Sequence, residues 1–176
     1  MNNQKTKPKF KDYILWALKF YGCSWLAWAV SMIPLYIFRG FYQYDETRIF
    51  WESVLISVIG ISVAAIAVYI FALKTDEFEK ADPDYVKKLA IGSGITYTVI
   101  CTLSFGYYPI CVLATHLASA LLVLSGGFLA LIMIPVSALI INSIFAFAVI
   151  KGAAKARIRR EKYRQDLLGN KNEDEK

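Results

Sequence analysis

Apolar residues in this chain come in long unbroken runs, without the spacing of a helix that keeps one face in water. Residues 13–38, 49–73 and 89–150 hold only two charged side chains among them, Lys19 and Glu52. The last run, 62 residues long, has no Lys, Arg, Asp or Glu. One bilayer crossing takes roughly 20 apolar residues for a ~30 Å hydrocarbon core. The pattern therefore predicts an all-α fold, a polytopic membrane helical bundle, and leaves no stretch for a separate soluble domain.

The basic residues set the number of crossings, because Lys and Arg near membrane ends stay on the cytoplasmic side. The N-terminal tail carries Lys5, Lys7, Lys9 and Lys11, the segment 74–88 carries four, and the tail from Lys151 onward carries nine. Only Arg39 and Arg48 lie in the first connection. Four crossings with both termini inside put 17 basic residues in the cytoplasm and two outside. Five crossings separate the basic segments and fit much worse.

An even count divides 89–150 into two passages. The expected spans are residues 13–38, 49–73, 83–108 and 128–150, between a basic N-tail (1–12) and a basic C-tail (151–176). Tyr107 and Tyr108 would anchor at the outer interface, and Pro109 would end the third span. Residues 110–127 are too short an apolar stretch for comfort as a span. They are expected to be re-entrant or interfacial, with a fifth span as the competing reading. In the inner loop, Asp82 is placed as an N-cap and Pro83 as the first helical residue. The five acids of that loop lack calcium-ligand spacing and read as a solvated surface. The C-tail reads as a helix through Leu168 ended by Gly169.

Charge and cysteine content alter this little. The net charge of +6 sits in tails flanking apolar runs and forms no basic face, so nucleic acid is not an expected partner. Cys23, Cys101 and Cys111 lie in apolar surroundings without a CxxC pair, and His116 is the only histidine. Inert buried thiols are expected, with no metal and no cofactor. The first apolar run is longer than a signal-peptide core and is interrupted by Lys19, so it is kept as a helix.

The polar residues inside the apolar runs are the candidates for function. Small residues recur on the second span at Ser53, Ser57, Gly60, Ala64 and Ala67, a helix-packing stripe. Gly94, Thr98, Thr102 and Gly106 on the third span, and Ala138, Asn142 and Ala146 on the fourth, repeat at four-residue intervals. Lys19, Thr96 and Asn142 fall at similar depth, each roughly 9–12 Å from the inner end of its span. They form a candidate intramembrane polar cluster. Glu52 and His116 share the outer leaflet if 110–127 dips in from outside, and are paired as a candidate outer vestibule; a local Arg48–Glu52 pair competes. Lys155, Arg157, Arg159, Arg160, Lys162 and Arg164 make a basic tail that an anionic lipid surface would attract.

No nucleotide loop, Ser/His/Asp set or paired acid–base carboxylates are present, so an enzyme is not expected. Two functional classes remain. The first is an accessory, assembly or immunity-type subunit in the cell membrane, the cytoplasmic membrane if bacterial. It would act by helix packing with itself or with another membrane subunit. The second is a small oligomeric transporter or channel for an ion or small solute, supported by Pro34, Pro109, Pro135 and the buried polar groups.

Overall fold

The computed structural model describes residues 7–38, 46–103, 112–124 and 130–173. All secondary structure among them is helical: α1 (Phe10–Phe38), α2 (Glu46–Lys74), α3 (Asp76–Lys80), α4 (Pro83–Leu103), α5 (Val112–Leu124) and α6 (Ala130–Glu173). The four long helices form a bundle in which α1 packs on α2 and α4, and α6 packs on the same two. α1 and α6 therefore face each other across one diagonal. Aromatic side chains bridge the gap, with the Phe20 and Phe145 rings 5.1 Å apart and Tyr97 of α4 beside both.

Local chemistry explains several boundaries. The Asp82 carboxylate accepts the Asp84 backbone N–H at 3.2 Å, and α4 starts at Pro83 as the sequence predicts. Gly169 does not end the last helix. α6 runs without a break from the apolar segment through the basic tail to Glu173. The tail is rich in strong helix formers, and one glycine costs only about 1 kcal/mol against them. Pro34 and Pro135 both lie inside helices, whereas Pro109 and the expected end of the third span lie outside the described residues.

The inner loop holds an element that the sequence reading left as charged surface. α3 is one short turn with Phe78 fully buried, stacked on Trp16 of α1 with ring centroids 5.1 Å apart. α3 also packs on α6. The Arg159 guanidinium pairs with the Glu79 carboxylate at 3.5 Å, and Arg160 donates to the Glu79 carbonyl at 3.4 Å. Between them, an aromatic plug and a surface clasp close the inner end of the bundle.

α5 runs in the opposite direction to α2. A Cβ built on Gly60 would meet Leu113, at the start of α5, at 2.6 Å. Glu52, about 12 Å nearer the α2 N-terminus, is the charged neighbour of His116. At the other end, Gly152 of α6 sits against Tyr69, Ala72 and Leu73 of α2. Counting from that level, α5 begins about 17 Å up the bundle and climbs about 20 Å.

Two helices, α2 and α6, contain runs long and apolar enough to cross a membrane: Phe50–Lys74 at mean hydropathy 2.7 and Ile132–Asp166 at 2.3. Among the described residues these are the runs that reach that measure.

Candidate functional site

The bundle buries polar groups among its apolar core and also exposes large apolar groups. Ser24, Ser31, Ser53, Ser57, Ser93, Ser137 and Asn142 are buried beside Phe20, Leu89, Ile141 and Phe145. On α4 the exposed stripe is Ile91, Ile95 and Val99, and the buried one runs from Tyr85, Val86, Leu89 and Ala90 to Ser93, Gly94, Tyr97 and Cys101. A surface helix of a soluble protein carries charged and polar residues on its exposed face. Outward hydroxyls such as Ser62, Thr102 and Ser143 donate to their own helix carbonyls four residues back, at 2.8–2.9 Å. They are satisfied without water.

A polar seam lies where α1, α4 and α6 meet. Ser24 donates to the Phe20 carbonyl at 2.9 Å, which commits its only proton. The Tyr97 hydroxyl lies within hydrogen-bond distance, 3.1 Å from Ser24 Oγ. One turn nearer the inner end of α4, Asn142 of α6 fills the notch left by Gly94, where an added Cβ would collide with its amide. Ser93 Oγ, Thr98 Oγ1 and Asn142 Oδ1 are buried here with no hydrogen-bond partner among the described residues. Trp28 Nε1 on α1 is a fourth such atom. The hydroxyls and amide of the seam can exchange hydrogen bonds with a polar guest.

The expected cluster of Lys19, Thr96 and Asn142 is distributed differently. Lys19 is half-buried, with its ammonium 4.2 Å from the Trp16 ring centroid and Glu77 of α3 as an electrostatic neighbour. It points toward the inner end, as side chains of an ascending helix do. Thr96 donates to the Gly92 carbonyl at 2.9 Å. It is two residues, about 200° of helical rotation, away from the Gly94 notch that receives Asn142. Asn142 thus meets Gly94, with Ser24 and Tyr97 one turn away, in place of Lys19 and Thr96. A Ser24–Tyr97 pair was missed because neither residue stands out within its own run.

In the α2 stripe, Ser53, Ser57, Gly60 and Ala64 are buried and Ala67 is half-buried, and the buried line continues through Val68 and Ala72. Gly60 brings α2 against both α5 and the Ala27–Ser31 turn of α1. The four-residue repeat on α4 fails at Thr102, which is exposed. Each four-residue step turns a helix about 40° past a full circle, so the buried line must alternate threes and fours. Gly106 lies outside the described residues, as does the Arg48 side chain.

Glu52 and His116, on α2 and α5, are electrostatic neighbours. Cys23 and Cys101 are buried free thiols, and Cys111 lies outside the described residues. Of the basic tail, Lys155, Arg159, Arg160, Lys162 and Arg164 are exposed. Arg157 is half-buried and reaches the Ala153 carbonyl at 3.5 Å. No protein family matches the chain, and no curated protein or solved structure matches it either.

Proposed function

We propose that this chain is a four-span integral membrane protein with both termini in the cytoplasm, acting as an accessory or assembly subunit through a rigid cytoplasmic helix. The membrane reading is supported by the apolar exterior of the bundle: Ile, Leu and Val are exposed on α1 and α4 as well as on the two most apolar helices, and a seam of polar groups is buried within. Residues 110–127 keep their reading as a re-entrant or interfacial segment; in the described part, α5, Leu113 packs at Gly60, partway along α2, and supports it.

The single observation that carries the functional reading is the unbroken α6. Every residue from 158 to 166 is exposed, so the helix leaves the bundle as a free rod. Arg164 stands about 21 Å beyond Ile150. The α3 clasp holds the base of this rod in a fixed direction. A presented helical surface on a fixed base suits partner docking.

A photo-crosslinking amino acid placed at Arg164 or Tyr163 in intact membranes should give a discrete adduct, and one at lipid-facing Leu18 should not. A Glu52–His116 pair across α2 and α5 favours the second reading, an oligomeric transporter or channel. Ion flux through proteoliposomes that falls on Glu52→Gln and His116→Ala, without any rod adduct, would replace the first reading by the second.

A further inference from the structure

The exposed lysines at the inner end of the bundle are not confined to the tail. Lys11 of α1, Lys74 of α2, Lys87 and Lys88 of α4, and Lys151 and Lys155 of α6 are all exposed, so each of the four long helices contributes. Their levels agree. Phe20, Tyr97 and Phe145 form one aromatic layer. Counted from it, Lys11, Lys87, Lys88, Lys151 and Lys155 lie about 9–15 Å further toward the inner end. Lys74 joins them because the end of α2 is level with Gly152.

Acids lie near this ring. Asp76, Glu77, Glu79 and Asp82 sit on the connection between α2 and α4, and Asp84 is in the first turn of α4, one turn before Lys87 and Lys88. Glu79 pairs with Arg159. Asp12, next to Lys11, accepts the Lys9 backbone N–H at 2.9 Å. The six lysines outnumber Asp12 and Asp84, the acids on the helices that carry them at this level. Lys151 sits where the apolar run of α6 gives way to its basic tail. Its ammonium lies 5.4 Å from the ring centroid of Phe147, which is 61% exposed on the apolar outer surface.

From this geometry we infer that the six lysines form a collar that binds the phosphates of anionic lipids, and that the arginines of the distal rod do not. The inference rests on the membrane reading of the bundle. A lysine at the headgroup level meets the full surface potential, which falls off within a Debye length, ~8 Å at physiological salt. The collar lies inside that distance, and Arg160 and Arg164 lie about 15 Å and 21 Å beyond Ile150, outside it. Four helices contributing to one ring also give retained lipids several adjacent contacts.

The test uses the full chain extracted with its surrounding lipid from vesicles of phosphatidylcholine with a minority of phosphatidylglycerol. The lipid composition around the intact protein is then read by mass spectrometry. The expected result is several-fold enrichment of phosphatidylglycerol, lost in a Lys74→Gln, Lys87→Gln, Lys88→Gln variant. Enrichment should be kept when the same positions become Arg and when Arg160 and Arg164 become Gln. Cysteine labelling of both tails confirms that the compared variants share one topology. Equal enrichment in the collar Gln variant, or loss confined to the arginine variant, overturns the collar. Displacement by excess soluble glycerol phosphate overturns the lipid assignment. Recovery of the protein in the soluble fraction after an alkaline wash overturns the membrane reading, and the collar with it.

Discussion

Gly94 and Asn142 show how one missing methyl group sets a helix–helix distance. The Asn142 amide occupies the space where a Gly94 side chain would be, so α4 and α6 approach closely at that level. Gly94→Ala is expected to destabilise the bundle by ~1–3 kcal/mol through overpacking, seen as earlier unfolding in a denaturing-detergent titration. Asn142→Ala in the same chain should recover part of that loss. If Gly94→Ala unfolds with the native protein, the notch does not set the spacing. Asn142 was legible in the sequence as a buried polar residue at a small-residue repeat. Its partner was not, because depth counted along two separate helices says nothing about their rotation.

At the scale of elements, the inner end of the bundle depends on α3. Two interactions hold it, and their expected weights differ. Phe78 is only 1% exposed against Trp16, whereas the Arg159 side chain is 60% exposed at its pair with Glu79. Phe78→Ala should therefore cost ~3–5 kcal/mol, with faster proteolysis between residues 75 and 82. Replacing Arg159 and Arg160 together by Ala should cost about 1 kcal/mol or less, since exposed pairs are weak. The opposite ranking would mean that the clasp dominates over the plug. The sequence did contain a signal for α3: a lone phenylalanine in the charged segment "TDEFEK". Periodicity cannot read a single turn, so the segment passed for loop.

For the whole molecule, the decisive expectation concerns sidedness. Single cysteines at Lys7 and Arg164 should both react with a membrane-impermeant reagent only from the cytoplasmic side, in a chain whose Cys23, Cys101 and Cys111 are replaced by Ala. Reaction of the two tails from opposite sides would remove the four-span map. The exposed apolar residues of α1 and α4 matter most at this scale, because they extend the apolar exterior beyond α2 and α6, whose described runs are long and apolar enough to cross a membrane. Ser24 and Tyr97 of these two helices meet each other, while Leu15, Leu26, Ile91 and Ile95 are exposed.

A helical chain, the position of its long apolar runs and the start of α4 at the Asp82–Pro83 cap are all written in the order of the residues. These follow from run length and local backbone chemistry, which need no knowledge of neighbours. Packing alone brings Asn142 to Gly94 and Tyr97 to Ser24, and makes α3 plug the inner end. The folded structure also carries α6 on as one rod and brings lysines from four helices to one level. Those relations depend on how helices are rotated and staggered against each other. Small residues, hydroxyls and aromatic rings set that rotation through contacts between positions far apart in the chain.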